Sequence, residues 1–267
     1  MSPDAGQDIS IVESILKRDR IIVLAGLAVI AALAWAYIAH EAWEMNNMDV
    51  AMCMGMSARR WGMTDFLLLF LMWTVMMAAM MIPSVSQVVL LYAGAVRQKG
   101  HGGGIAGLTG AFVLGYLASW TGFSLLAALA QFGLHDAALI SPMMVSTSPI
   151  FGGAILIAAG VFQWTPWKYA CLNHCRSPLG FLMTEWRNGA GGAFVMGLRH
   201  GTYCVGCCWL LMAVLFVTGV MNILWVAVIA GFVLIEKLAP SGEWFGRGAG
   251  ILLAGYGVWM VGHSLVF

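Results

Sequence analysis

Charged residues are scarce in this chain of 267 residues. They account for 9% of all positions, while hydrophobic residues account for 61%. Soluble domains carry about 25% charged residues, so this chain lacks the polar surface that a soluble protein of its length needs. Its net charge of +1 also argues against nucleic-acid binding, which requires a strongly basic face.

The sequence also lacks the alternating segments of about 10 residues that build a membrane β-barrel. Its apolar residues form continuous runs, and a helix needs roughly 20 residues to cross a bilayer. The runs cover residues 21–39, 66–96, 105–132, 150–167, 193–219, 223–238 and 248–267. We therefore predict an all-α, polytopic transmembrane helical bundle with about seven spans, forming a single domain over residues 21–267.

Lysine and arginine are distributed unevenly between these runs. If the N-terminus is cytoplasmic and the runs alternate in direction, only Arg59 and Arg60 of the 13 Lys and Arg residues fall outside. The positive-inside rule then predicts the N-terminus in and the C-terminus out, in a bacterial inner (cytoplasmic) membrane. The first run exceeds the roughly 7–15 apolar residues of a signal peptide, which favours an uncleaved anchor over a cleaved one. Residues 1–20 are expected to form a cytoplasmic amphipathic lead-in.

Five of the 6 cysteines fall on the predicted cytoplasmic side, with Cys53 alone outside. A reducing cytoplasm disfavours disulfides, so the five are expected to be free thiols. The chain contains no Cys-x-x-Cys-His sequence, the motif that would predict covalent attachment of haem. In the fifth run, spacings of i, i+4, i+7 and i+8 place four side chains on one helix face. These are His200, Cys204, Cys207 and Cys208.

A second group lies at the inner end of the fourth predicted helix, just after the fourth run. Cys171, His174 and Cys175 are spaced i, i+3, i+4 and share one face if that helix continues to Pro178. Thiolate and imidazole groups are ligands for zinc, copper(I) or iron–sulfur clusters. The two groups therefore predict a metal site between the fourth and fifth spans, with redox thiol chemistry and ordinary packing of cysteine as a small apolar residue as the alternatives.

Methionines are concentrated outside and in the second run. The outer loop predicts capture of a metal, because thioethers are soft ligands that select copper(I); the alternative is an interfacial helix that presses methionines into the bilayer. The candidate outer ligands are Met45, Met48, Met52, Cys53, Met54 and Met56. Met76 and Met80 share a stripe of the second helix and are candidates for a relay, with core filling as the alternative. Pro83 is expected to free the carbonyl of Ala79.

Polar residues near the ends of the last spans are assigned structural roles. Arg199 and Glu236 are expected to form an ion pair that joins the fifth and sixth helices. Asn222 lies in the short turn before the sixth helix and is expected to cap it.

Three stretches of the sequence resemble a known family. They are MWTVMMAAMMIPS, the segment YACLNHCRSPLGFLMTEWRNGAGGAFVMGLRHGTYCVGCCWLLMAVLFVTGVMN, and WVAVIAGFVLIEKLAP, which together span most of residues 70–260. The family is uncharacterised, bacterial and described as predicted metal-binding integral membrane proteins, a domain of unknown function. The resemblance implies metal binding through Cys171, His174, Cys175, His200, Cys204, Cys207 and Cys208.

The leading hypothesis is an integral membrane protein that handles or transports a soft metal ion, with copper(I) favoured over zinc. Its expected partners are the lipid bilayer and a metallochaperone or metalloenzyme. Methionines would capture the ion outside and inner thiolates would receive it, which favours inward transfer. Two alternatives remain: a membrane thiol redox enzyme or metalloenzyme assembly factor, and a structural membrane subunit in which the metal staples two helices together.

Overall fold

The structure is a computed structural model that describes residues 4–47, 61–99, 104–137 and 148–266. Within these ranges the regular structure is helical and no strand occurs, which confirms the predicted all-α class. The helices are α1 (Asp4–Asn46), α2 (Met63–Gln98), α3 (Ile105–Asp136), α4 (Pro149–Phe162), α5 (Pro166–Arg176), α6 (Pro178–Glu185), α7 (Gly189–Ala213), α8 (Leu215–Thr218), α9 (Ile223–Leu238) and α10 (Gly242–Val266).

Five helical segments of the described chain are long and apolar enough to cross a membrane, or six if α4 and α5 together form one broken span. The five are Arg20–Met45, Met63–Gln98, Ile105–Asp136, Gly189–Thr218 and Gly242–Val266. Helix α9 contains 16 residues and is therefore about 24 Å long, shorter than the roughly 30 Å hydrocarbon core of a bilayer. The number of helices that meet the length requirement is thus smaller than the seven predicted spans.

The fourth predicted run, residues 150–167, is not one continuous helix. Helix α4 ends at Phe162, and α5 begins at Pro166 after a bend of 64°. A proline cannot donate a backbone hydrogen bond and disfavours a helical conformation in the residue before it. Thr165 instead caps α5 by accepting a hydrogen bond from the Lys168 amide. Cys171, His174 and Cys175 still lie together, on α5.

Close backbone contacts join the helices in pairs. A Cβ atom added to Gly115 of α3 would lie 2.0 Å from the Phe194 carbonyl oxygen of α7, and one added to Gly197 of α7 would lie 1.9 Å from the Phe112 carbonyl oxygen. A Cβ on Gly160 of α4 would lie 2.5 Å from the Gly250 carbonyl oxygen of α10. Small residues let membrane helices approach this closely.

Two local predictions are confirmed. Pro83 lies inside α2, and the carbonyl of Ala79 that it leaves without an intrahelical partner accepts a hydrogen bond from Trp35 Nε1 of α1 at 3.2 Å. Asn222 caps α9 by accepting a hydrogen bond from the Trp225 amide at 3.4 Å. The predicted N-terminal lead-in belongs to the same continuous helix, α1, as the first span.

Candidate metal centre

The predicted face of α7 is turned into the protein. His200, Cys204, Cys207 and Cys208 are all buried. Cys207 Sγ donates to the carbonyl oxygen of Cys204 at 3.1 Å, and Cys208 Sγ donates to the same oxygen at 2.9 Å. These bonds to a carbonyl three or four residues earlier satisfy the thiols within the helix. They are weak, because a thiol is a poor donor, and a metal ion could replace them.

Helix α5 brings the second group of thiols against this face. The Cys175 side chain lies close enough to Cys204 and Cys207 to interact with both of them. Cys171 packs where α7 has a glycine: a Cβ added to Gly206 would lie 2.9 Å from Cys171 Sγ. The thiols of the two predicted groups therefore meet between α5 and α7, and the five cysteines of the described chain are free.

The sulfur of Cys204 has polar contacts with side chains of two other helices. Lys237 Nζ of α9 donates to Cys204 Sγ at 2.9 Å, and the Tyr116 hydroxyl of α3 lies 3.0 Å from the same sulfur. Lys237 Nζ also donates to Ser84 Oγ of α2 at 3.3 Å. An ammonium donor favours the thiolate form of its partner, because charge-assisted hydrogen bonds are stronger than neutral ones. Helices α2, α3 and α9 thus add polar groups to the site formed by α5 and α7.

The two predicted imidazoles differ in position. His200 is 2% exposed, and its Nδ1 has no hydrogen-bond partner among the described residues. Its ring packs 4.9 Å from that of Phe181 and lies near enough to Cys204 and Cys207 to interact electrostatically. A buried nitrogen without a partner is costly, and this one is free to bind a ligand. His174 is exposed, stacks on Tyr203 with ring centroids 4.1 Å apart and directs Nδ1 to the Ala170 carbonyl of its own helix.

No group of three or more His, Cys, Asp or Glu side chains in the described part of the chain is arranged to hold a metal ion. Zinc is almost always held by four ligands in structural sites. Soft thiolates select copper(I), and the Cys175 and Cys204 thiols lie close enough to interact across α5 and α7.

The predicted ion pair between Arg199 and Glu236 is not formed. Arg199 pairs with Glu185, the last residue of α6, and Glu236 pairs with Lys168. Lys168 and Glu236 are almost fully buried, and Lys168 also donates to Gln163 Oε1. The bend between α4 and α5 brings Lys168 inward, and this could not be foreseen while the two helices were treated as one.

The candidate relay residues lie inside the bundle. Met76 and Met80 are 1% and 2% exposed, and Met81 beside them accepts a hydrogen bond from the Tyr116 hydroxyl through its carbonyl oxygen at 3.3 Å. Met45, the first predicted outer ligand, lies in the last turn of α1 and is half-buried. The other outer candidates lie outside the described residues: Met48, Met52, Cys53, Met54 and Met56.

Lys237 and Tyr116 were not predicted as parts of the site. A lysine that ends an apolar run, as Lys237 does, can extend its ammonium group to the membrane surface. The alternative interpretation, that an ionisable residue in an apolar segment marks a functional site, would have identified Lys237 as part of the site. Tyr116 carried no comparable signal.

Comparison with known families identifies one match. The model of a family described as PpoB2, copper chaperone, matches residues 70–260. The matched stretch covers most of the chain and contains every thiol and imidazole of the centre, in agreement with the metal-related family predicted from the sequence motifs. The description names copper and gives no support to zinc. No curated protein and no solved structure matches the chain.

Proposed function

Because the chain belongs to the PpoB2 family of copper chaperones, we propose that it is a multi-pass membrane protein that binds copper(I) between α5 and α7 and passes it to a partner metalloenzyme or metallochaperone. Cys175 and Cys204 are the proposed primary ligands. Cys207, Cys208 and His200 are the neighbouring groups to which the ion can shift as it enters or leaves, with Cys171 and His174 at the edge of the site.

The outer surface of the bundle supports the proposed membrane location. Large apolar side chains face outward along the helices, with Leu126 of α3 at 65% and Leu252 of α10 at 75% exposure. Water would oppose such a surface, whereas lipid tails would cover it. The distribution of Lys and Arg supports the proposed inner-membrane location with a cytoplasmic N-terminus.

The methionines of α2 provide a route toward the centre. Ser84, which contacts Lys237, comes four residues after Met80 and eight after Met76. The two methionines therefore precede the centre by about 6 and 12 Å along the helix axis. The start of α2 lies on the side of the methionine-rich outer loop, so copper(I) captured there by thioethers would move inward through softer and more highly charged ligands.

The contact of thiols from two helices carries this proposal. Cys175 on α5 lies close enough to Cys204 and Cys207 on α7 to interact with both, although these residues are about thirty positions apart in the chain. Packing of small apolar residues alone would not require a lysine and a tyrosine at one of the sulfurs. A soft-metal centre uses such groups to hold a thiolate in place.

The test is copper(I) binding by the purified protein. Cys175→Ser/Cys204→Ser removes both proposed primary ligands and is expected to lose at least about tenfold in copper(I) affinity, since the loss of even an outer-shell partner typically costs about 10–100-fold. The measurement is competition with a chromophoric copper(I) chelator. Thr202→Ala is the matched control, because this residue lies on the exposed side of α7 and should bind copper(I) like the wild type.

Wild-type affinity in the double variant would refute the proposal. Thiol trapping addresses the redox alternative: a redox enzyme would cycle between oxidised and reduced thiols with growth conditions, whereas a copper centre is protected from alkylation by copper(I) alone. A purely structural metal would be revealed if its removal unfolds the protein without changing cellular copper content.

A further inference from the structure

Among the described residues, the ion pairs between Lys or Arg and Glu near the centre leave the positive charge of Lys237 without a carboxylate partner. Lys168 and Glu236 form one pair, and Arg199 and Glu185 form another. Lys237 is 7% exposed, and its ammonium donates to a thiol and a hydroxyl. A buried charge is costly unless it is paired. The positive charge of Lys237 must therefore be balanced by the sulfur atoms of the centre.

The position of Lys237 makes its charge act directly on any bound ion. Its Nζ lies 2.9 Å from Cys204 Sγ and interacts electrostatically with Cys207 and Cys208 as well. A metal ion held by these sulfurs would lie a few ångströms from the ammonium. The Lys168–Glu236 pair is neutral as a whole, and the Arg199–Glu185 pair is partly exposed to the surroundings, so neither offsets this effect.

We propose that Lys237 makes the centre select monovalent over divalent soft metal ions. Electrostatic energy scales with the product of the charges, so at a given position the ammonium repels a divalent ion twice as strongly as a monovalent one. Two thiolates, one monovalent ion and Lys237 together carry no net charge. Two thiolates with a divalent ion and Lys237 carry one uncompensated positive charge in a buried site.

This inference rests on the proposed copper(I) centre and adds the physical basis on which that centre selects its metal ion. Softness alone does not separate copper(I) from other thiophilic ions, because soft thiolates also bind divalent metals. The charge of Lys237 provides a second criterion that is independent of softness. No oxidation or reduction is involved: when a thiol becomes a metal thiolate, its proton is released to solvent.

The test uses silver(I) and cadmium(II), two soft ions that differ in charge. Calorimetric titration of the purified protein gives the ratio of the cadmium(II) to the silver(I) dissociation constant. Lys237→Gln removes the charge and adds no sulfur ligand, and is expected to lower this ratio at least about tenfold, since one unit charge acts over a few ångströms. Lys99→Gln, which removes the charge of an exposed lysine packed on Trp186, should leave the ratio unchanged.

A second variant tests the same charge without removing the lysine. Ser84→Asp places a carboxylate beside Lys237 Nζ, which lies 3.3 Å from Ser84 Oγ, and should lower the ratio in the same direction. If Lys237→Gln does not fold, this variant decides the question. An unchanged ratio in the folded variants overturns the inference and leaves the copper(I) centre standing. A wild-type protein that binds neither copper(I) nor silver(I) overturns the proposed function itself, and this inference with it.

Discussion

Gly115→Ala is expected to weaken the contact between α3 and α7, on which the centre depends. The new Cβ would lie 2.0 Å from the Phe194 carbonyl oxygen, whereas real Cβ atoms essentially never come closer than 3.0 Å. The two helices must therefore separate by about 1 Å, because the obstacle is backbone and cannot rotate away. Overpacking of this kind costs about 1–3 kcal/mol. At about 2–4 °C per kcal/mol for a large domain, the melting temperature should fall by about 2–12 °C.

The same substitution should reach the centre through Tyr116, the next residue of α3. The Tyr116 hydroxyl lies 3.0 Å from Cys204 Sγ, and a displacement of about 1 Å would break that hydrogen bond. We therefore expect weaker copper(I) binding together with the lower melting temperature. Both are measured on detergent-purified protein, by thermal unfolding and by chelator competition.

Gly122→Ala is the matched control on the same helix. A Cβ at Gly122 meets nothing within 4 Å, and alanine favours the helix over glycine by about 0.5–1 kcal/mol. This variant should be as stable as the wild type or slightly more stable, with unchanged copper(I) binding. If Gly115→Ala melts at the same temperature as Gly122→Ala, the close contact of α3 with α7 is refuted.

The remaining predictions concern two buried polar contacts and use the melting temperature as the measurement. Lys168→Met leaves Glu236 as an unpaired buried charge and should cost about 3–5 kcal/mol, while Lys168→Met/Glu236→Leu should recover most of this loss; a double variant no more stable than the single one would contradict the pairing. Trp35→Phe leaves the buried Ala79 carbonyl without its donor and should cost about 1–3 kcal/mol. Pro83→Ala restores the backbone donor to that carbonyl, so it should reduce the cost of Trp35→Phe, and purely additive effects would argue against the hydrogen bond.

The helices could be predicted from the sequence because each apolar run falls on helical segments, and the thiol face of α7 followed from spacing alone. Helical periodicity fixes which side chains share a face, and the face with the thiols is the one that is buried. Pro166, which lies inside the fourth predicted run, was a local signal for the break at the start of α5. The hydropathy of the run does not reveal this break, because the residues on both sides of it are part of one apolar run.

The partners of the buried charges could not be predicted in this way. Whether Glu236 meets Arg199 or Lys168 depends on the 64° bend between α4 and α5, and no pattern within α9 encodes that bend. Lys237 at the end of an apolar run is compatible with both a surface and a buried position, since a long side chain can extend to either. Only the packing of α9 against α2 and α7 decides between them.

Helix α9 holds the two helices that carry the thiols in position relative to each other. Glu236 and Lys237 are adjacent, so on a helix they point in directions about 100° apart, and each reaches a different neighbour. Glu236 pairs with Lys168 on α5, and Lys237 donates to Cys204 on α7. Two consecutive charges thus connect α9 to both helices that supply the sulfur ligands. These contacts hold α9 against the bundle, because moving it would leave two charges buried without partners.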